Sequence, residues 1–323
     1  MRAILVRAPG GPEELYIGEV PTPEPGVGEV RIKVAGAGVN RADLLQRRGF
    51  YPPPKGASEI LGLEASGVVD AVGPEVDHFS PGDPVVALLA GGGYAEYVVA
   101  PAGQCAPAPG SMGITQAGGI METSATVVSN FDHIRVTAGE TILIHGGSGG
   151  IGSFAIPYAK CLGLRVLTTV GSSDKAAQAR SIGADVAIDY HGDWAAEVRE
   201  VTSGVGVDAI LDIIGAKYLE ANVSVLARGG RMTVIGLQGG TKATLDLNAL
   251  LTKAATITAT SLRFRPLSEK TQIVSEVAER VWPLFETRQI PLPPITCFPL
   301  EQAGAAQRLL DSGDNVGKII LTL

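Results

Sequence analysis

The chain has 323 residues, 45% of them hydrophobic, with a formal net charge of −7. That length suggests about two domains, and the apolar fraction is ample for two cores. No Lys/Arg cluster stands out, which argues against a nucleic-acid partner, and no uninterrupted apolar stretch approaches the ~18 residues that a membrane span needs.

Up to about residue 120 the chain consists of short β-like runs broken by Gly and Pro: MRAILVRA, GEVRIKVAGAGV, ASGVVDAVG, DPVVALLA and YAEYVVA. This spacing predicts a compact antiparallel barrel or sandwich. From about 123 to 264 the rhythm becomes strand, helix, strand. TILIHGG leads to a helix over SFAIPYAKCLG, RVLTTVG to DKAAQARSIG, and VAIDY to WAAEVREVTS. VDAILDIIG leads to a helix over YLEANVSVLARGG, and RMTVIGLQ to NALLTKA and then ITATSLR. These strands are apolar on both faces, as strands of a parallel sheet covered on each side should be. Alternating βα units predict a doubly wound α/β fold. A helix around TQIVSEVAERVWPLFET, another over LEQAGAAQRLLDSG, and a strand, KIILTL, complete the chain. The last strand is expected to return to the first domain.

The stretch HGGSGGIG, residues 145–152, places Gly147, Gly149 and Gly152 in a G-x-G-x-x-G spacing, with Gly150 and Ile151 between the last two. Alone the spacing is a weak signal; between a strand and a helix of a βαβ unit it points to a dinucleotide. Bare backbone lets a pyrophosphate come close, and the following helix offers free N–H groups and the positive end of its dipole. A tight turn in a non-binding α/β protein is the competing explanation. An NAD site usually carries an acidic residue at the end of the second strand, ~20 residues on, to hold the ribose 2′-hydroxyl. Here RVLTTV ends in Gly171, Ser172, Ser173, Asp174 and Lys175. Ser172, Ser173 and Lys175 offer hydroxyls and a point charge to a 2′-phosphate, so NADPH is the expected nucleotide. Asp174 is discordant unless it caps the next helix. Lys175 alone is as readily an exposed helical lysine.

The stretches GGPEELYIGEVPTPEPGVGEV, VNRADLLQRRGFYPPPKGASEILGLEASG, ILIHGGSGGIG, TTVGSSDK, ILDIIG and VGKIILTL together span nearly the whole chain. They resemble the zinc-free quinone oxidoreductases of the medium-chain dehydrogenase/reductase superfamily, the zeta-crystallin group, and within it the p53-inducible branch and its bacterial relatives. The resemblance implies a GroES-like β-rich catalytic domain over residues 1–122, a Rossmann NADPH-binding domain over 123–264 and a return to the catalytic domain over 265–323, with the active site in the cleft. It implies NADPH as hydride donor and a quinone or similar electrophile as acceptor. It also implies a homo-oligomer, dimer or tetramer, paired through the edge strand TITATSLR.

Zinc-dependent relatives place Cys and His at two positions that here resemble Asn40 and Leu63, leaving only Glu64 as a carboxylate. Cys105, Cys161 and Cys297 are scattered, and His78, His133, His145 and His191 show no ligand spacing, so no metal site is expected. Three sparse cysteines read as reduced thiols, and the N-terminal apolar run is too short for a signal peptide. Together these predict a soluble, cytoplasmic protein. His145, beside the glycine loop, reads as structural.

Without a metal, NADPH carries the reducing power and the protein positions it against the acceptor. Hydrogen-bond donors aimed at the acceptor's oxygens would stabilise the charge that develops there. The candidates are the Asn40 amide and the Tyr51 hydroxyl. By resemblance Asn40 lies near the nicotinamide and Tyr51 lines the substrate mouth. Asn40 alternatively braces a turn, and Tyr51, beside a run of prolines, alternatively only packs. Asp43 is expected to pair with Arg41 or Arg47. The resemblance also assigns cofactor contacts to Thr126, Tyr190, Gly236, Leu237, Gln238, Ser261, Leu262, Arg263 and Asn315. Two features depart from it. METSATVVSN is small-residued where relatives carry aromatics, which predicts a roomier nicotinamide pocket. Pro157 interrupts SFAIPYAK, where an interior proline costs a helix about 3 kcal/mol. The alternatives to a quinone reductase are an NADPH-dependent enone or alkenal reductase and a non-catalytic NADPH-binding sensor.

Overall fold

Every strand of the middle segment joins one parallel sheet in the computed structural model, which describes residues 1–323. The chain forms two compact units. One comprises Met1–Ala125, Leu262–Arg288 and Pro294–Leu323; the other comprises Thr126–Ser261 and Gln289–Pro293.

The first unit is built mainly on a sheet. Its strands are β1 (Arg2–Val6), β2 (Leu15–Glu19), β3 (Glu29–Val39), β4 (Glu64–Val72), β5 (Pro84–Leu88), β6 (Tyr97–Pro101) and β7 (Cys105–Pro107). The second unit supplies β8 (Thr141–His145), β9 (Arg165–Val170), β10 (Val186–Asp189), β11 (Val207–Asp212), β12 (Leu226–Val234) and β13 (Thr256–Ala259). The C-terminal segment returns β14 (Ile295–Pro299) and β15 (Lys318–Thr322) to the first unit.

In the first unit the order is β14-β15-β3-β4-β5-β7, with β6 also on β3 and β1 paired to β2. All these pairs are antiparallel except β14 with β15. Strand β15 therefore lies beside β3, with Ile320 opposite Gly38. Alternation along β3 sends Val30, Ile32 and Val34 into a core with Val69, Val85, Val98, Ile319 and Leu321. Its helices are α1 (Arg41–Arg47), α2 (Ile114–Ala117) and the start of α3 (Met121–His133), which carries the chain into the second unit.

The parallel sheet has the order β10-β9-β8-β11-β12-β13, so the strand order reverses between β8 and β11. That is the doubly wound arrangement, in which ligands bind beyond the carboxyl ends of the strands at the reversal. The crossover helices are α4 (Gly150–Cys161), α5 (Ser173–Ser181), α6 (Trp194–Val201), α7 (Leu219–Val225) and α8 (Leu247–Lys253). Leu143, Leu167, Ile188, Ile210 and Met232 form the core under them with Trp194 and Val198. Strand β13 is one edge of the sheet and β10 the other. The helices α9 (Leu267–Arg280), α10 (Trp282–Glu286) and α11 (Ala303–Ser312) belong to the first unit. No helix is long and apolar enough to cross a membrane.

Three local expectations are corrected. The helix expected over 218–230 ends at Val225, because Leu226 already pairs with Val207 in the sheet. The helix expected over 271–287 is two helices that meet at Val281, with Pro283 in the first turn of the second, where its missing N–H costs least. Pro157 leaves α4 continuous from Gly150 to Cys161; the hydrogen bond that its missing N–H costs is lost in a helix whose middle is wholly buried.

Candidate active site

The expected site residues fall into two sets. Asn40, Tyr51, Leu262, Arg263 and Asn315 belong to the first unit, and Thr126, the glycine loop, 171–175, Tyr190, 236–238 and Ser261 to the second.

In the second unit the glycine loop follows β8 at the reversal point. Each glycine has its own steric reason. A Cβ on Gly147 would lie 2.3 Å from Thr168 Oγ1, and one on Gly152 would lie 2.4 Å from the Gly146 carbonyl oxygen. These two let helix and strand close together. A Cβ on Gly149 would meet only the Gly146 carbonyl oxygen, at 3.6 Å, so its bareness serves no protein packing. Gly149 is also the N-cap of α4, and no side chain caps that helix. The first-turn N–H groups of a buried-core helix are thus presented without a side-chain partner, the feature that a pyrophosphate uses.

Beyond β9, Ser172 is the N-cap of α5: its Oγ accepts the Lys175 N–H at 3.3 Å. Asp174 lies in the first turn and is not the cap, which corrects the expectation for it. The Ser172 hydroxyl hydrogen remains a donor. A Cβ on Gly171 would lie 2.4 Å from the Tyr190 hydroxyl, so the bare backbone at 171 makes room for a half-exposed phenol. The loops after β11 and β12 brace one another. Gln238 and Gly239 donate to the carbonyls of Ile213 and Ile214, and a Cβ on Gly236 would lie 2.7 Å from the Ile213 oxygen. Leu237 stands out from this loop, 54% exposed. The Thr126 carbonyl accepts from Ser129 Oγ and Asn130 Nδ2.

Under these loops runs a buried polar chain that sequence reasoning did not find. Asp212 accepts the N–H groups of Ile214 and Gly215 and the Asn222 amide at 2.6, 3.1 and 3.2 Å. Burial pushes its carboxyl up to about 6 against these hydrogen bonds. The Asn222 oxygen accepts from His145 Nε2 at 2.8 Å, which leaves His145 Nδ1 to accept from the Thr169 hydroxyl at 3.0 Å. Burial between Trp194 and Tyr218 lowers His145 to about 4, so it is a neutral brace, as its sequence position suggested.

In the first unit Asn40 is the N-cap of α1, yet its side chain does not cap the helix. Asp43 performs the reverse half of the cap, accepting the Asn40 N–H at 2.7 Å. The second Asp43 oxygen takes the Gly62 N–H at 3.0 Å, and the Tyr94 hydroxyl donates to the first at 3.0 Å. Asp43 is fully buried and pairs with neither Arg41 nor Arg47, which corrects the expectation for it. Arg41 pairs with Asp311, and Arg47 donates to Gln307 and the Gly10 carbonyl. Burial raises the Asp43 carboxyl to about 6 despite three hydrogen bonds.

The Asn40 amide is spent elsewhere. Its Nδ2 donates to Glu64 Oε1 at 2.9 Å, and its Oδ1 accepts from Lys318 Nζ at 2.8 Å. Lys318 also donates to Glu64 Oε1 at 2.7 Å, and Glu64 Oε2 accepts the Glu122 N–H at 3.0 Å. One hydrogen of this amide is therefore committed to Glu64, and the other has only the Gly38 carbonyl at 3.5 Å. Gly38 makes room for the centre, because a Cβ there would lie 2.1 Å from Glu64 Oε1. Burial, and then the neighbouring Glu64, push the Glu122 carboxyl up to about 8. Lys318 and Glu122 were both missed. The available signals were a single lysine heading an otherwise apolar C-terminal strand and a single acid among the small residues of METSAT.

Tyr51 meets Phe264 edge-on, with ring centroids 5.3 Å apart, and the Arg263 guanidinium lies over its ring. Arg263 is buried and donates to the carbonyls of Ala90 and Tyr51, so it holds this loop; Leu262 is buried beside it. Asn315 donates to the Gly317 carbonyl at 3.2 Å. Ser124, Ala125 and Val128, the small residues of METSATVVSN, are fully buried.

A GroES-like β unit joined to a doubly wound nucleotide-binding unit defines a medium-chain dehydrogenase/reductase. The alcohol dehydrogenase GroES-like domain matches residues 26–110, and the zinc-binding dehydrogenase domain matches residues 150–279. Escherichia coli quinone oxidoreductase, solved in complex with NADPH, is 29% identical over 100% of both chains, with a TM-score of 0.91. A mycobacterial quinone oxidoreductase is 33% identical over 100% of both chains, with a TM-score of 0.87. An NAD-dependent alcohol dehydrogenase is 34% identical over 100% of both chains, also with a TM-score of 0.87. The chain belongs to the zinc-free quinone oxidoreductases of the medium-chain dehydrogenase/reductase superfamily. Among curated relatives, a phenolphthiocerol/phthiocerol polyketide synthase polypeptide of Mycobacterium tuberculosis is 30% identical over 322 residues. That match covers 98% of this chain and 14% of the polyketide synthase, so the chain spans only a small part of such relatives.

The zinc in the name of the second domain does not fit the residues present. No three His, Cys, Asp or Glu side chains converge. At the position that resembles the first zinc ligand, the oxygens of Asn40 and Glu64 already surround an ammonium group.

Proposed function

We propose that the protein is an NADPH-dependent reductase of quinone-type electrophiles. The observation that carries this reading is the Asn40–Glu64–Lys318 centre. A metal is one way to stabilise the oxygen of an alcohol or simple ketone during hydride transfer, and here a protein ammonium sits among the oxygens instead of a donor set for a metal. A quinone is electrophilic already and needs positioning and hydrogen bonds rather than a cation.

NADPH, when bound, supplies the hydride. The α4 N-terminus and the bare Gly149 backbone hold the pyrophosphate. Ser172, Ser173, Lys175 and Tyr190 take the 2′-phosphate, where β9 ends in Val170 and is followed by Gly171 rather than by a carboxylate. Gly236, Leu237, Gln238, Thr126 and Ser261 line the nicotinamide half, Asp212 keeping their neighbouring loop in place through its backbone bonds. In the first unit the residues assigned to the nucleotide are Asn40, Leu262, Arg263 and Asn315, and Tyr51 is assigned to donate toward the reduced oxygen. The protein acts in the cytoplasm as a homo-oligomer joined through the free edge of β13; sedimentation of an edge-strand proline variant as monomers tests that joint.

A second reading is reduction of an α,β-unsaturated carbonyl. The 30% likeness to a polyketide synthase favours it, and it asks more of a proton source, since the α-carbon must be protonated. An acceptor panel separates these readings. NADPH oxidation with ortho- and para-quinones but not enones supports the first. Turnover of enones alone moves the assignment to the second. Tight NADPH binding without turnover of either makes the protein a nucleotide sensor and overturns both.

A further inference from the structure

Lys318 opens the C-terminal strand β15, 278 residues from Asn40, yet its ammonium lies 2.8 Å from Asn40 Oδ1. Its side chain is 4% exposed and that of Glu64 is 0% exposed, so the pair is sequestered from solvent. An ion pair so deep contributes little net stability over an apolar pair, and a merely structural role would not require the amide between the charges. The three groups close a triangle. The cation faces the amide oxygen, the carboxylate faces the amide nitrogen, and cation and carboxylate touch at 2.7 Å. Rotating the amide by half a turn would set N–H against ammonium and oxygen against carboxylate, inverting both contacts. The second amide hydrogen has only the Gly38 carbonyl at 3.5 Å, the outer limit of a hydrogen bond.

We propose that Lys318 is a positioning residue that, with Glu64, locks the Asn40 amide in one orientation and leaves its second N–H for the nucleotide or acceptor. The proposal rests on Asn40 serving that ligand, as proposed above. It explains why a buried lysine heads an apolar strand, and why Gly38 must lack a side chain beside Glu64.

The test is a double-mutant cycle in the full chain. Lys318→Met keeps the length and removes the charge. Because it leaves Glu64 buried without its cation, Glu64→Gln/Lys318→Met removes both charges and serves as the second variant if the first does not fold. NADPH-dependent quinone reduction and thermal unfolding are measured for these, for Asn40→Ala and for Asn40→Ala/Lys318→Met. The expected loss in kcat/KM is about ten-fold or more for each charge-removing variant, approaching the ~100-fold that a misplacement of about 1 Å costs. Once Asn40 is gone, Lys318→Met should cost no further activity. The proposal is overturned if a folded charge-removing variant stays within about two-fold of the unmodified protein, or if the Asn40 and Lys318 losses multiply as independent effects do. If the unmodified protein reduces no quinone, the proposed function fails by itself. The same cycle is then read in the NADPH Kd, where independent effects again overturn the positioning role.

Discussion

Alanine at Gly149 and at Gly152 should have opposite consequences. Gly152 lies inside α4, where Ala is intrinsically better than Gly by up to about 1 kcal/mol. Its Cβ, however, would sit 2.4 Å from the Gly146 oxygen and 2.5 Å from Gly147 Cα, about 1 Å inside ordinary contact at 3.4 Å, and both obstacles are backbone. Overpacking against atoms that cannot rotate away costs about 1–3 kcal/mol, so Gly152→Ala should lower stability by up to about 2 kcal/mol net of the helix gain. Gly149→Ala meets nothing closer than 3.6 Å and has an extended backbone that Ala adopts freely, so stability should be unchanged. Its methyl would instead stand on the face where the phosphates approach. Displacing one or two charge-assisted N–H bonds costs about 1.5–3 kcal/mol, or roughly 10–100-fold in Kd. Differential scanning calorimetry and NADPH titration of both variants separate the two effects. A stabilised Gly152→Ala would refute the packing argument. A Gly149→Ala variant that binds NADPH like the unmodified protein would remove the loop from the phosphate site.

Lys175→Ala should weaken NADPH far more than NADH, measured by titration of each; equal weakening would take Lys175 out of the phosphate site. His145 is lowered from 6.5 to about 4, so the unfolded chain takes up the proton first as pH falls. Stability should drop by about 3 kcal/mol between those values, and His145→Gln should flatten that part of a stability–pH curve. Glu122 shifts the opposite way, from 4.5 to about 8, so the stability it contributes is full below its unfolded value and lost as pH rises toward 8. Glu122→Gln mimics the neutral acid, and its melting temperature should gain on the unmodified protein as the buffer goes from pH 6 to 9; a constant gap would mean that Glu122 is ionised throughout.

The doubly wound sheet was legible because its signals are local. Each strand is a short apolar run, each crossover helix follows within a few residues, and the glycine spacing needs only the strand before it and the helix after it. The role of His145 was legible for the same reason. The centre around Asn40 was not, because its members lie at 38, 40, 64, 122 and 318 and meet only through tertiary structure: β15 and β4 both pair with β3, and the α3 backbone reaches Glu64. Asp43 was misassigned because helical spacing set it near Arg47, whereas tertiary burial gave it to Gly62 and Tyr94. The 226–230 segment was read as the end of a helix, whereas the pairing of Leu226 with Val207 makes it the start of a strand, a long-range register that the local sequence does not carry.

The most direct test of the account is a single turnover in a strong chelator. Protein loaded with one equivalent of NADPH is mixed rapidly with a para-quinone, and the reduced-nicotinamide absorbance is followed. The account predicts complete loss of that absorbance, at a rate the chelator does not change. Absorbance that persists, or that falls only after zinc is added back, would contradict it.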